Sequence, residues 1–360
     1  MNAKTDFHTL RVSEVRRETP DAVSILFDVP DPTSPLLAYA PGQYLTLRRQ
    51  IAGEDVRRNY SVCVSPLDGE LRVAVKQVGG GRFSTFANHE LKAGDLLDVL
   101  PAAGHFTAAF EAGEARNYAA FAAGAGITPI LSLIRTALRQ EPHSVFTLFY
   151  GNRTSGNILF QEELAALKNQ FMGRLAVYHF LTLEDEDIDL FNGRLDRAKC
   201  DAVLSTLIDP AAIDMAFICG PEGMMEAAEQ ALLAKGVAPS RILLERFASS
   251  GAGPLLDDAA QVRVAAAAGR SMKVVLDGRR MTVAFDAQAG NILDSVRATG
   301  AAAPYACKGG VCATCRAKVI EGEVEMRVNY GLTSEEVAQG YVLTCQSAPV
   351  GDGVVLSYDA

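Results

Sequence analysis

Four cysteines near the C-terminal end constrain this chain more than anything else in it. They read Cys307-Lys-Gly-Gly-Val-Cys312-Ala-Thr-Cys315, and 29 residues then separate Cys315 from Cys345. A C-x4-C-x2-C run with a distant fourth cysteine is the ligand spacing of a [2Fe–2S] cluster. Iron and inorganic sulfide call for soft, charged sulfur ligands, and a small cluster needs three of them on one tight loop. Gly309 and Gly310 suit such a loop, because a Cβ would obstruct the sharp turn that brings backbone N–H groups to the sulfurs. The alternatives explain less. Cys312 and Cys315 could be half of a zinc knuckle, but such sites bring a second close cysteine pair or a histidine pair. Here the next cysteine is Cys345, and the last of the five histidines is His179. A disulfide framework does not suit a long chain with an odd seven cysteines.

The run Pro304-Tyr-Ala-Cys-Lys-Gly-Gly-Val-Cys-Ala-Thr-Cys-Arg-Ala-Lys-Val319, followed by Leu343-Thr-Cys-Gln346, resembles a plant-type ferredoxin domain. The residues upstream agree. Met272–Leu276 and Met281–Phe285 read as strands joined by an Asp277-Gly278 hairpin turn, and a helix is expected over Asn291–Thr299. That is the order of a β-grasp domain, placed at 271–360. A linker is expected over 248–270, on the small residues Ala248–Pro254 and an alanine run, Ala265–Ala268, that adds little packing. Residues 271–360 carry 8 Lys/Arg against 10 Asp/Glu, far from the strong acidity of free plant-type ferredoxins. Lys308, Arg316 and Lys318 lie beside the cluster cysteines, which suggests tethering rather than charge steering as the way this domain meets its electron donor.

With 360 residues the chain has room for two or three domains, and 49% hydrophobic and 21% charged residues are ordinary for sizeable cores. A net charge of −9 speaks against nucleic-acid binding, which wants a basic face. No apolar run approaches the length of a membrane span. Met1–His8 lacks the apolar core of a signal peptide, so a reducing cytoplasm is expected, and it suits thiolate ligands.

Residues 1–110 read as an antiparallel β-barrel. Leu10–Val15, Val23–Val29, Tyr44–Arg48 and Leu71–Lys76 alternate or carry β-branched residues, and turn residues separate them with no helix-period stretch. Arg58-Asn-Tyr-Ser61 offers a planar guanidinium for a pyrophosphate, an aromatic face for a flat ring and a hydroxyl for a ring nitrogen. On an ideal strand Arg58 and Tyr60 share one face and Ser61 takes the other, so a ligand touching all three lies across a strand end. An exposed strand with an outward arginine is the rival reading. Val75-Lys76-Gln-Val-Gly79-Gly80-Gly81-Arg-Phe-Ser84 adds a strand and a glycine turn able to approach a phosphate. Together, in this order, these pieces resemble the flavin-binding barrel of the ferredoxin–NADP reductase superfamily. The resemblance implies FAD, held by Arg58, Asn59, Tyr60 and Ser61, with Lys76, Gly80, Gly81 and Ser84 toward the diphosphate. It also places Tyr44 of Pro41-Gly-Gln-Tyr44 near the flavin; a core tyrosine is the equal alternative.

Residues 115–247 change period. Strands at Asn117–Ala123, Val145–Tyr150, Leu175–Leu181 and Met215–Cys219 alternate with helices at Ile130–Leu138, Phe160–Leu167 and from Gly220-Pro-Glu-Gly to Leu233. That alternation means a doubly wound parallel sheet. Ligands bind such sheets at the carboxyl ends of strands, where Gly124-Ala-Gly126-Ile-Thr128-Pro129, Arg153 and Cys219-Gly220-Pro221 all fall. Strand, glycine turn and helix N-terminus form a pyrophosphate site. The resemblance puts Gly124–Pro129 under the nucleotide diphosphate, Cys219–Pro221 beside the nicotinamide, and Phe247 against the flavin. Ser61 and Cys219 are the catalytic candidates. No Asp or Glu lies between Tyr150 and Gln161, while Arg153 does, so NADPH is expected over NADH, with NADH possible.

The resemblance spans the whole chain and implies a two-to-one-electron converter, because hydride carries two electrons and a cluster accepts one. With the ferredoxin last, the chain resembles reductase components of bacterial oxygenases. Val328–Glu336 and Gly340–Cys345 look most like the phenylacetyl-CoA epoxidase reductases, whose electrons go to a di-iron oxygenase. The reductase of another ring-hydroxylating dioxygenase or di-iron monooxygenase is the alternative. A non-enzymatic iron–sulfur sensor would not need the flavin and nucleotide motifs.

Overall fold

The computed structural model describes residues 7–31, 33–247 and 258–360. Its first sheet uses β1 (His8–Thr19), β2 (Ala22–Asp28), β3 (Tyr44–Ile51), β4 (Glu54–Ser61), β5 (Leu71–Lys76) and, after helix α1 (Arg82–His89), β6 (Leu96–Val99). The order is β4-β3-β6-β1-β2-β5. A bridge from Val62, just past β4, to Val73 of β5 brings the two edges together, so the sheet closes as the expected antiparallel barrel. Val12, Ile25, Leu45, Leu47, Val73 and Val75 fill it, all with side chains essentially out of solvent.

One local expectation fails here. The glycine turn expected through Ser84 ends earlier, and the chain is already helical from Arg82. Phe83, Phe86 and Ala87 recur at helical spacing and bury one face of α1 in the barrel core. That short amphipathic pattern follows directly on three glycines, which mask it in the sequence.

The second domain comprises β7 (Asn117–Ala123), α2 (Ile127–Gln140), β8 (Val145–Asn152), α3 (Gln161–Gln170), β9 (Leu175–Leu181), α4 (Arg197–Thr206), β10 (Met215–Cys219), α5 (Glu222–Ala234) and β11 (Ile242–Glu245). Its sheet is parallel throughout, in the order β11-β10-β7-β8-β9. Central β7 is buried on both faces from Tyr118 to Ala122, as a parallel strand between helical layers must be. One apolar cluster packs around α2 and α3, the other around α4 and α5.

Barrel and parallel sheet form one compact unit, whose bulk lies between Asp6 and Arg246. Ser132 Oγ donates to the Val64 carbonyl at 2.6 Å, and the Ser65 and Thr136 hydroxyls meet at 2.8 Å. Asp68 of the barrel pairs with Arg135 and Arg139 of α2. Ala22, Cys63 and Ala74 of the barrel join the apolar cluster around α2, which buries β5 on both faces.

The bulk of the second unit lies between Phe247 and Ala360. It contains α6 (Asp258–Ala266), β12 (Ser271–Leu276), β13 (Arg279–Ala284), α7 (Ile292–Ala298), β14 (Arg316–Glu321), β15 (Val324–Met326), α8 (Ser334–Ala338), β16 (Tyr341–Leu343), β17 (Ser347–Pro349) and β18 (Val354–Ser357). The five-stranded sheet β13-β12-β18-β14-β16 has one parallel pair, β12 with β18, and β15 pairs β17 apart from it. Asp277 and Gly278 both take positive φ, at 52° and 71°, the signature of the expected tight hairpin turn.

The proposed linker residues Ala248–Pro254 lie outside the described residues. Its later part is helix α6, and Val264 and Ala267 sit in the domain core at 5% and 0% exposure. Of the alanine run only Ala267 is buried; Ala265, Ala266 and Ala268 are exposed. Among the described residues no helix is long and apolar enough to cross a membrane.

Candidate functional site

The cluster loop is built to turn sharply. Lys308, Gly310 and Ala313 all adopt positive φ, at 53°, 78° and 50°; Lys308 and Ala313 do so as non-glycine residues in a region L side chains rarely adopt. The result points backbone amides at sulfur. Gly309 N donates to Cys307 Sγ at 3.2 Å, Cys312 N to the same sulfur at 3.4 Å, and Cys307 N to Cys312 Sγ at 3.4 Å. All four cysteines are buried.

Among the described residues, no three His, Cys, Asp or Glu side chains converge as they would on one metal ion. The thiols act on one another in two pairs instead, Cys307 with Cys312 and Cys315 with Cys345. Two sulfurs for each of two irons is the donor set a [2Fe–2S] cluster needs. The neighbouring Cys307 thiol holds Cys312 below the ordinary thiol range, while the same interaction pushes Cys307 upward. The loop is braced from the last strand: Tyr358 donates to Thr344 Oγ1 at 3.0 Å, and Thr344 Oγ1 donates to the Cys315 carbonyl at 2.8 Å. The expected positive charges are largely answered. Lys308 pairs with Asp294 at 2.6 Å and Arg316 with Glu336 at 2.5 Å, while Lys318 lies 5.5 Å from the Tyr341 ring.

On the barrel, β4 carries Arg58, Asn59 and Tyr60, all half-buried, and ends at Ser61. Arg58 donates to the Arg57 carbonyl at 2.7 Å, and the Tyr60 ring lies 5.5 Å from Phe83 of α1. Ser61 is 2% exposed, and its Oγ has no hydrogen-bond partner among the described residues. A buried, orphaned hydroxyl calls for a partner from outside the chain, and a flavin ring nitrogen has the chemistry to be one. Tyr44 is buried against Gly104, where a Cβ would lie 2.9 Å from its ring. Ser84 serves the glycine loop itself: its Oγ accepts from Val78 N and donates to the Gly81 carbonyl. Gly80, at φ +70°, has open space where a Cβ would stand, and a Cβ at Gly81 would collide with Ser84 and Val78. Lys76 lies 3.6 Å from Asp21.

At the carboxyl ends of the parallel strands, Gly124 takes φ +52° and its carbonyl accepts from Tyr150 OH at 3.0 Å. Thr128 Oγ1 donates to the Ala125 carbonyl at 3.0 Å, closing the turn that leads into α2. Pro129 occupies the first turn of α2, where its missing N–H costs nothing. Gly126 abuts the end of β10, and a Cβ on Gly220 would lie 2.4 Å from Met224 Cε. Pro221 then caps α5. The first amide of α2 is not left open: Ile127 N–H donates back to the Gly124 and Ala125 carbonyls, and Pro129 has no N–H to offer.

Cys219 is fully buried, and burial pushes its thiol well above the ordinary range. A neutral thiol is no nucleophile, so what Cys219 can contribute is the shape of the wall. Its register partner on β11 is Glu245, whose carboxyl burial pushes up to about 8. Phe247, two residues later, is 40% exposed.

Arg153 is exposed at the end of β8. The stretch 151–160 holds no acidic residue, yet the chain delivers one there, Glu184, from beyond β9. Its carboxylate accepts from Ser155 N at 2.8 Å and from Ser155 Oγ at 3.2 Å. Only the parallel pairing of β8 with β9 brings these loops together. No local signal in the sequence marks Glu184 or Glu245.

Comparison with known proteins follows the same order of parts. The chain matches an oxidoreductase FAD-binding domain over residues 9–108, an oxidoreductase NAD-binding domain over 121–230 and a 2Fe-2S iron-sulfur cluster binding domain over 274–350. It is 44% identical over 356 residues to a component of the 1,2-phenylacetyl-CoA epoxidase of Escherichia coli (strain K12), covering 99% of each. It is 35% identical to the ferredoxin reductase component of 3-ketosteroid-9-alpha-monooxygenase of Rhodococcus rhodochrous, across 97% of this chain and 96% of that one. Among solved structures, phthalate dioxygenase reductase shares the fold at a TM-score of 0.61, with 21% identity over 98% of both chains. An intact type IV self-sufficient cytochrome P450 monooxygenase gives a TM-score of 0.71 at 25% identity; the match covers 97% of this chain and 41% of that larger one.

Proposed function

The chain belongs to the family of oxygenase reductases that join FAD-binding, NAD-binding and 2Fe-2S domains in one polypeptide, and from that premise we propose that it feeds a di-iron epoxidase acting on phenylacetyl-CoA. The observation that carries this choice of partner is the 44% identity, sustained over the full length, to the epoxidase component. The other relatives serve different oxygenases, so the reductase of a ring-hydroxylating dioxygenase or another di-iron monooxygenase is the second reading. A stand-alone iron–sulfur sensor is disfavoured by the FAD- and NAD-binding domains that make up the first two thirds of the chain.

In this reading Arg58, Asn59, Tyr60 and Ser61 would hold the flavin, with Lys76, Gly80, Gly81 and the Ser84-braced loop toward its diphosphate. Gly124, Gly126, Thr128 and Pro129 would receive the nucleotide diphosphate at the turn that leads into α2, and Cys219, Gly220 and Pro221 would wall the nicotinamide. Phe247 would lie against the flavin. Cys307, Cys312, Cys315 and Cys345 would hold the irons. When bound, FAD accepts the nicotinamide's hydride and passes on single electrons, which a cluster takes one at a time. The chain's own contribution is placement: Ser61 fixes the ring through its otherwise unpartnered hydroxyl, and the buried Cys219 side keeps water from the hydride path.

Nucleotide choice rests on two opposed groups. Arg153 favours a 2′-phosphate. Glu184, anchored on Ser155, repels it and suits a free 2′-hydroxyl. The NADPH preference proposed from Arg153 is therefore smaller than an unopposed arginine would give. The buried thiols Cys63 and Cys200 and the thiolate cluster fit a reducing cytoplasm.

Reconstitution tests the partner. The holoprotein, NAD(P)H, dioxygen, the di-iron epoxidase and phenylacetyl-CoA should together form the epoxide and water. Turnover with a different oxygenase, and none with the epoxidase, would replace the first reading by the second.

A further inference from the structure

Gln346 follows the last cluster cysteine, and it is 1% exposed. Its Nε2 donates to the Lys308 carbonyl at 2.9 Å and lies 3.6 Å from Cys345 Sγ. Rotating the amide would set Oε1 against the Lys308 carbonyl, acceptor against acceptor, so the geometry fixes which end is nitrogen. Its Cγ packs under the loop, 3.1 Å from where a Cβ on Gly310 would stand. Its backbone carbonyl accepts from Arg327 N at 2.9 Å, and the Gly310 carbonyl accepts from Tyr330 N at 3.0 Å. One buried amide thus spans the cysteine loop and the distant fourth cysteine, the two segments that must stay in register to share a cluster.

We propose that Gln346 is a positioning residue for the cluster. One N–H holds Lys308 in its left-handed conformation, and the other donates to the Cys345 sulfur. The proposal rests on the cluster reading above. Reduction adds negative charge to the cluster and its sulfur ligands, and a donor aimed at a ligand sulfur stabilises that charge, so Gln346 raises the reduction potential. It thereby makes the cluster a better acceptor for the electron it receives from within the chain. The amide is neutral at every working pH, so the effect is independent of pH.

The test uses the full-length holoprotein and Gln346→Met, which keeps the length and apolar stem but has no N–H. Outer-shell partners of metal ligands are typically worth tenfold or more. A tenfold change in the reduced-to-oxidised ratio is about 59 mV for a one-electron couple. Redox titration followed by EPR should show the Gln346→Met midpoint lower by about that amount, with iron and sulfide content unchanged. An unshifted midpoint in a fully loaded variant overturns the proposal. If the variant does not retain its cluster, wild-type protein made with 15N at the glutamine side-chain amides decides. Pulsed EPR of its reduced cluster should show a weak 15N coupling, and its absence overturns the proposal. Wild-type protein that binds no cluster at all would instead defeat the cluster reading itself.

Discussion

Gly126 faces the carbonyl of Cys219 so closely that a Cβ on the glycine would stand 2.0 Å from the oxygen. The turn entering α2 and the end of β10 therefore close against each other with no room for a side chain. Gly126→Ala must push them apart. Overpacking of this kind costs about 1–3 kcal/mol, and here the displaced atoms are those that would receive the nucleotide. The variant should lose thermal stability in the first unit and reduce its flavin more slowly with NAD(P)H. Ferricyanide reduction at the wild-type rate would show that this contact does not shape the site.

Ser61 makes the opposite case. Its hydroxyl is buried without a hydrogen-bond partner among the described residues, and leaving such a group unsatisfied costs about 1–3 kcal/mol. Flavin-free Ser61→Ala should be at least as stable as flavin-free wild type. The stabilisation gained on adding FAD should shrink, and hydride transfer should slow. Thermal unfolding with and without FAD separates the two effects, and equal destabilisation in both states would assign Ser61 a purely structural role.

Arg153 and Glu184 should move nucleotide choice in opposite directions. A charge-assisted hydrogen bond is worth roughly 1.5–3 kcal/mol, or about one to two powers of ten. Arg153→Ala should cut the NADPH-to-NADH ratio of kcat/KM by about tenfold, and Glu184→Gln should raise it. A ratio unmoved by either change would place the ribose elsewhere.

Glu245 gives the first unit a pH dependence. Burial raises its folded carboxyl to about 8, above the unfolded range near about 4.3. The folded state thus holds a proton that the unfolded state releases, so its contribution to stability is full below about pH 4 and falls as pH rises toward 8. Glu245→Gln should flatten that decline. A melting temperature that falls equally in both proteins would remove Glu245 from the account.

What the sequence made legible followed from how local each signal was. The cluster ligands lie mostly on one short loop, and their spacing alone defines the donor set. The parallel sheet was readable because β7, β8 and β10 are short apolar runs between helix-period segments. Helix α1 was not, since its apolar triad Phe83, Phe86 and Ala87 follows three glycines that read as a turn. Helix α4 offers only Cys200, Val203 and Leu204 as buried residues, too few for a clear period. Helix α6 was missed because its residues carry almost no helix-period apolar pattern. Glu184 escaped for a different reason: it reaches Ser155 from 29 positions along the chain, across a strand pairing that no local pattern contains.

Electrons should pass from nucleotide to flavin to cluster before they leave the protein. The most direct measurement compares two acceptors in Cys345→Ser, which removes one cluster ligand and nothing in the first unit. Reduction of ferricyanide by NAD(P)H should persist near the wild-type rate, with the flavin absorbance intact, while electron delivery to the oxygenase falls to background. Equal loss of both activities, or undiminished delivery to the oxygenase, would contradict the account.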